Sequence, residues 1–116
     1  MVQVIDDEQI GMLVEGAGVD AVKPILEAYW DSNDDLVAQL AEGLNAGSAD
    51  AIAATAHGLK GSSANLGAIL VAARAKEIEF AAKDGDLDKA RRLFDQLPAD
   101  IACTRDAFEE VLRENA

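Results

Sequence analysis

Apolar residues recur along the chain at spacings of three and four, which is the period of amphipathic helices and not the alternation of strands. Turn-forming residues divide the pattern into five predicted helices, over residues 6–15, 20–45, 49–65, 68–83 and 87–114. Short connections make consecutive helices antiparallel neighbours. We therefore predict an all-α fold, an antiparallel up-down-up-down four-helix bundle with a short N-terminal cover helix, as a single domain over residues 1–116.

Several positions refine this prediction. Pro24 is tolerable only near the first turn of the second helix, so the regular part is expected to begin there, and Pro98 should kink or divide the fifth. Tyr29 and Trp30 are expected in the core or at its edge, and Phe80 beside the seam of the fourth helix.

The third predicted helix carries the only histidine of the chain, His57. Ser48 or Asp50 can cap its start, and Gly67 suits its end. The seam of this helix consists of Ile52, Ala56, Leu59, Ser63 and Leu66. At about 100° per residue, His57 lies roughly 140° from the middle of that seam and should point away from the core. Ser63, on the seam, is expected to bond back to the helix backbone.

The helix face around His57 carries small residues where a solvated face normally carries long charged ones. We call it the small-residue face; it comprises Ala53, Ala54, Gly58, Gly61 and Ala64, with Lys60 at one edge. Each glycine inside a helix costs about 1 kcal/mol relative to alanine. Close approach of another molecule to the imidazole would offset that cost. A packed or merely solvated histidine is the alternative interpretation.

Composition narrows the classes of partner. The net charge of −12 argues against nucleic acid and anionic membranes. Residues 1–56 hold eleven acidic residues and one basic residue, whereas residues 57–116 hold eleven and nine. The half that contains His57 is therefore the less repulsive one for an anionic group.

The same sequence argues for a cytoplasmic protein. No apolar run approaches the roughly 18 residues that span a membrane, and the N-terminus lacks the basic start of a signal peptide. A single cysteine, Cys103, excludes an internal disulfide and fits a reducing compartment. We expect Cys103 to be buried as a small apolar residue of the last helix.

The segment from His57 to Ala68 reads His-Gly-Leu-Lys-Gly-Ser-Ser-Ala-Asn-Leu-Gly-Ala. It resembles the signature of histidine-containing phosphotransfer (HPt) domains of two-component phosphorelays, His-x-x-Lys-Gly-Ser-Ser-x-x-Leu-Gly-Ala, without a departure. The similarity continues through Ile78-Glu79 to Asp84-Gly85-Asp86.

This resemblance implies roles for individual residues. His57 would be phosphorylated, and Glu79 would hold Nδ1–H so that Nε2 faces solvent as the nucleophile. Lys60, one turn from His57, would offset the charge of the phosphoryl group. Gly61 would leave room for the active-site loop of a partner. Ser62 would act as a local cap or a minor phosphate contact.

The function implied is that of a phosphorelay intermediate, which accepts a phosphoryl group from a receiver-domain aspartate and passes it to another receiver. The partners would be receiver domains of response regulators or hybrid histidine kinases, which supply the acidic pocket and Mg²⁺. The sequence has no Gly-rich nucleotide loop and no metal-ligand cluster. We therefore expect a monomeric phosphohistidine carrier with no kinase module, metal or cofactor of its own.

Three alternatives stay open at this point. The chain could be the HPt domain of a multidomain histidine kinase, phosphorylated by a kinase module in trans, although its short acidic N-terminus and its finish at Ala116 favour a stand-alone protein. It could also be a helical adaptor that docks through the small-residue face and is never phosphorylated. A metal-binding bundle is disfavoured because it needs more ligands than one histidine and scattered carboxylates.

Overall fold

The computed structural model describes residues 3–115, which form five helices joined by short turns. The helices are α1 (Asp7–Ala17), α2 (Val19–Ala46), α3 (Ala49–Leu66), α4 (Ile69–Lys83) and α5 (Leu87–Glu114). The all-α prediction is confirmed, and each predicted helix end lies within two residues of the observed one. Residues 1, 2 and 116 of the predicted domain lie outside the described residues.

Side-chain caps and glycines set the helix ends. The carboxylates of Asp6 and Asp86 and the hydroxyl of Ser48 accept hydrogen bonds from the backbone N–H three residues on, at 3.1, 3.1 and 3.3 Å. α2 and α3 both end at a glycine in the left-handed region, Gly47 with φ 66° and Gly67 with φ 80°.

Both prolines lie inside helices. α2 begins at Val19 and includes Pro24, so the expectation that regular helix starts at the proline is wrong. α5 runs through Pro98 without interruption, so the proline does not divide it. Each proline removes one backbone hydrogen bond, and contacts of these long helices with the core outweigh that loss.

Four helices form a ring of contacts around the core. α2 packs on α3, α3 on α4, α4 on α5 and α5 on α2, while α1 lies against α2 and α5. The largest fully buried apolar side chains come from all five helices: Ile10, Val22, Leu40, Ile52, Leu59, Val71, Ile78, Leu97 and Phe108. The seam predicted for α3 faces this core, and its residues Ile52, Ala56, Leu59 and Ser63 are 0% exposed.

Two polar contacts tie helices together inside the bundle. The Tyr29 hydroxyl on α2 lies 2.6 Å from the Ser63 hydroxyl on α3, so the expectation that Ser63 bonds to its own backbone is wrong. Burial raises the pKa of the Tyr29 phenol. Arg74 on α4 donates to Asp100 on α5 at 2.6 Å, and this contact raises the pKa of the guanidinium.

The segment before α1 is bonded to the turn between α3 and α4. The N–H of Asp6 donates to the Gly67 carbonyl at 2.8 Å, and the N–H of Leu70 donates to the Val4 carbonyl at 3.1 Å. The Gln9 side chain adds a bond to the Asn65 carbonyl at 2.6 Å. This end of the bundle is therefore closed by backbone hydrogen bonds as well as by apolar contacts.

Two side chains differ from the expectations in exposure. Cys103 is exposed, because its neighbour Thr104 takes the inward position and donates to the Asp100 carbonyl at 2.7 Å. Phe80 is 50% exposed instead of lying against the seam of α4.

Within residues 3–115, no helix combines the length and the apolar character that crossing a membrane requires.

Candidate functional site

His57 lies in the middle of α3 and faces outward, with 66% of its side chain exposed. Ala56, immediately before His57, and Leu59, two residues after it, are fully buried. The backbone of α3 is therefore held by the core while the imidazole reaches solvent.

Glu79 lies beside His57 on the neighbouring helix α4, and it is 3% exposed. Its Oε2 is 3.2 Å from Nδ1 of His57. An ionised carboxylate only accepts hydrogen bonds, so the contact requires the proton on Nδ1. In the neutral imidazole, Nε2 then carries the free lone pair.

Two lysines complete the surroundings of the carboxylate. Lys60 Nζ on α3 is 3.3 Å from Oε1, and Lys83 Nζ on α4 is 3.0 Å from Oε2. The contact with Lys83, followed by that with Lys60, lowers the pKa of Glu79, against the opposing effect of burial. The cluster of His57, Lys60, Glu79 and Lys83 therefore holds a charged, nearly buried carboxylate beneath an exposed imidazole.

Sequence reasoning did not identify Lys83. The sequence feature that could have identified it is its position four residues after Glu79, which places both side chains on one face of α4.

Lys60 was expected to contact a phosphoryl group directly, and here its ammonium is paired with Glu79. Any anion bound to Nε2 of His57 would have to compete with that carboxylate for the lysine.

The small-residue face surrounds His57 as an open surface. Ala54, Gly58, Gly61 and Ala64 are exposed and Ala53 is half-buried. A Cβ added to Gly61 would meet nothing within 4 Å, and one added to Gly58 would meet only Leu36, at 3.9 Å. The packing of the molecule therefore does not account for glycine at these positions.

Ser62 is half-buried, and its hydroxyl donates to the Leu59 carbonyl at 3.2 Å. This bond fits the local backbone contact expected for Ser62 and directs the hydroxyl to its own helix.

Within the described chain, no group of three or more His, Cys, Asp or Glu side chains is placed to hold a metal ion. The cluster instead combines an exposed imidazole, a carboxylate that contacts its Nδ1 and two lysine cations paired with that carboxylate.

Acid is expected to weaken the cluster. Because the pKa of Glu79 is lower in the folded protein than in the unfolded chain, its stabilisation is full above the unfolded pKa and disappears as pH falls through the folded one. We expect the free energy of unfolding, measured with urea at pH 7 and pH 3, to fall more for the wild type than for Glu79→Gln. Glu109→Gln, at an exposed carboxylate of α5, is the matched control and should fall as much as the wild type. An equal fall for Glu79→Gln and the wild type would contradict the lowered pKa of Glu79 in the folded protein.

Comparisons with known proteins agree with the geometry. The family model described as Hpt domain matches residues 24–112. Among solved structures, the chain is similar to histidine-containing phosphotransfer protein B (HptB) from Pseudomonas aeruginosa PAO1. The two are 32% identical, with 100% of each chain covered and a TM-score of 0.85. A comparison with curated proteins gives no significant match.

Proposed function

The chain belongs to the Hpt domain family, whose members have a phosphotransfer role in two-component signalling, and from this premise we propose that it is a phosphorelay intermediate. His57 accepts a phosphoryl group from an aspartyl phosphate of one receiver domain and passes it to the aspartate of another. The observation that carries this proposal is the exposed imidazole held at Nδ1 by Glu79.

The chemistry follows from that contact. The Nε2 lone pair attacks phosphorus, a P–N bond forms, and the P–O bond to the receiver aspartate breaks with its electrons leaving on the carboxylate. The proton stays on Nδ1, so the phosphorylated ring carries positive charge that faces the Glu79 carboxylate. Transfer onward reverses these steps with a second receiver.

The lysines serve the added phosphate. Lys60 and Lys83 already lie within 3.3 Å of the Glu79 carboxylate, Lys60 at Oε1 and Lys83 at Oε2. A phosphoryl group brings two negative charges beside them, and charge-assisted contacts with the ammonium groups offset those charges. Ser62 is a minor phosphate contact at most, because its hydroxyl is already bonded to Leu59.

The small-residue face is the docking site in this proposal, and the partner receivers belong to response regulators or hybrid histidine kinases. The receivers supply the acidic pocket and Mg²⁺, while this chain contributes no metal, cofactor or kinase module. We further propose a monomeric cytoplasmic carrier, folded as an antiparallel up-down-up-down bundle with α1 as its cover, that binds neither nucleic acid nor membrane.

The test is a reconstituted relay. A receiver labelled with ³²P is mixed with this protein and an unlabelled second receiver, both taken from the complete receiver set of the source genome. Label is expected to reach the second receiver only when this protein is present. Labelling by a kinase with ATP and without any receiver would instead support the kinase-domain alternative. Receiver binding without label on this protein would support the inert adaptor.

A bulky side chain on the small-residue face is expected to slow transfer. Gly61→Gln places a side chain where the partner loop approaches, and we expect the transfer rate to fall about tenfold or more. Gly11→Gln is the matched control, because Gly11 also lies inside a helix and also has nothing within 4 Å of an added Cβ. Equal rates for the two variants, measured by label transfer from a receiver, would remove the docking role of Gly61.

A further inference from the structure

Asn33 is a polar residue inside the core of the bundle. It lies on α2 and is 2% exposed. Within residues 3–115, neither its amide nitrogen nor its amide oxygen has a hydrogen-bond partner. Burial of an amide in this state opposes folding, because the group loses its bonds to water and gains none in return. Glu79 Oε1 is also buried without a hydrogen bond, but the ammonium of Lys60 lies 3.3 Å from it.

Asn33 lies beside a pair of buried hydroxyl groups. Tyr29 precedes it by one turn on α2, and the Tyr29 hydroxyl is 2.6 Å from the hydroxyl of Ser63 on α3. Burial raises the pKa of the Tyr29 phenol, and Ser63 and Asn33 oppose that rise. The amide is therefore close to the phenol, although the two share no direct hydrogen bond.

The three polar side chains meet between α2 and the helix that carries the histidine. Tyr29 lies opposite Ser63, and Leu36 is the side chain that a Cβ on Gly58 would meet, at 3.9 Å. Asn33 lies between these two contacts along α2, which places it level with the α3 turn that follows Gly58. Ser63 on that side is fully buried, so this polar group is enclosed by the core.

The hydrogen-bonding capacity of these groups indicates what they can bind. The Asn33 amide offers two donors and an acceptor, and each hydroxyl offers one donor. The contact between Tyr29 and Ser63 uses one of the two hydroxyl protons, so the amide and the second proton remain. A water molecule both donates and accepts, and it fits where a larger polar ligand does not.

We propose that Asn33, Tyr29 and Ser63 hold one internal water molecule, at a place here called the Asn33 site. The water bonds to the Asn33 amide and to the hydroxyl pair, and it thereby links α2 to α3. Buried waters typically make about three hydrogen bonds to groups that otherwise have no partner. The Asn33 site is independent of phosphotransfer and belongs to the unphosphorylated protein.

Oxygen-17 magnetic relaxation dispersion counts the water molecules that stay in a protein far longer than surface water does. We expect the count for Asn33→Leu to be one lower than for the wild type, because leucine keeps the branching of the side chain and has no polar atom. Asn45→Leu, the matched control at an exposed asparagine of α2, should keep the wild-type count. Adding Tyr29→Phe to Asn33→Leu should lower the count no further.

Urea unfolding of the same variants is a second readout. A water-bonded amide stabilises the fold, so Asn33→Leu should raise the unfolding equilibrium constant about 5- to 30-fold. An amide without any partner predicts the opposite sign, because leucine then removes an unsatisfied polar group from the core. Asn45→Leu should stay within about twofold of the wild type.

A crystal structure of the wild type gives a direct check that needs no variant. It should show a water within about 3.2 Å of an Asn33 amide atom. A direct hydrogen bond from Asn33 to Tyr29, with no water between them, would overturn the Asn33 site. Equal water counts for the wild type and Asn33→Leu, a further drop on adding Tyr29→Phe, or a gain in stability for Asn33→Leu would overturn it as well. None of these results bears on the proposed phosphotransfer.

Discussion

His57→Gln is expected to accept no phosphoryl group above background from any receiver or from phosphoramidate. The substitution removes the ring nitrogen that forms the P–N bond, and a neutral amide is a poor nucleophile. Because 66% of the His57 side chain is exposed, the change leaves the core untouched, and the free energy of unfolding should stay within about 0.5 kcal/mol of the wild type. Radiolabel transfer and urea unfolding measure the two quantities.

The control for this prediction is Asp50→Asn, an exposed change in the first turn of the same helix, which should retain full labelling. Label on the wild type should be lost in acid and persist in base, as expected for a phosphohistidine and not for a phosphoserine. Labelling of His57→Gln, or loss of labelling through unfolding of that variant, would contradict the assignment of His57 as acceptor.

Gly67→Ala is expected to lower the free energy of unfolding by about 2–3 kcal/mol. The residue has φ 80°, where an L side chain is strained. A Cβ there would also lie 3.1 Å from Asp6 Cβ and from Gln9 Oε1, in the segment bonded to this turn. The new methyl group would lengthen the hydrogen bonds that Asp6 donates to Gly67 and that Gln9 donates to Asn65.

Gly47→Ala separates the cost of backbone strain from the cost of the steric contacts with Asp6 and Gln9. Gly47 ends α2 with φ 66°, and a Cβ added there would meet nothing within 4 Å. It should therefore show the backbone strain alone, about 1 kcal/mol. Urea unfolding of both variants gives the difference, and equal losses would mean that the added methyl group at Gly67 does not disturb the contacts with the N-terminal segment.

The helices could be predicted from the sequence because caps and apolar spacing agree along most of the chain. α3 illustrates this agreement, with a serine cap, a seam of buried residues and a glycine at its end. α5 shows where hydropathy is insufficient. Its inward positions include Asp100 and Thr104, which are buried because each has a hydrogen-bond partner in the fold. Hydropathy assigns such residues outward, whereas Cys103, which was expected inside as a small apolar residue, is exposed.

Some features of the candidate site could be predicted from the sequence alone, and others could not. The outward position of His57 follows from the phase of one helix. The placement of Glu79 depended on family resemblance, because a contact between two helices has no spacing rule in the sequence. Lys83 and Phe80 were missed or misplaced for a related reason. The exposure of a residue at the edge of a helix face depends on how the neighbouring helix packs, and periodicity alone does not determine that packing.

Transplanting the signature segment into another helical protein would not transplant the site. Tyr29, 34 positions before Ser63, ties α2 to the inward face of α3 through its 2.6 Å contact. Glu79, 22 positions after His57, sets the proton on the imidazole. A graft that lacks these two partners would contain the histidine. It would lack the contact that ties its helix to the core and the carboxylate that holds the proton on Nδ1. The smallest portable unit is therefore a set of three packed helices, and a protein engineer who wants a new phosphoryl acceptor would have to move α2, α3 and α4 together.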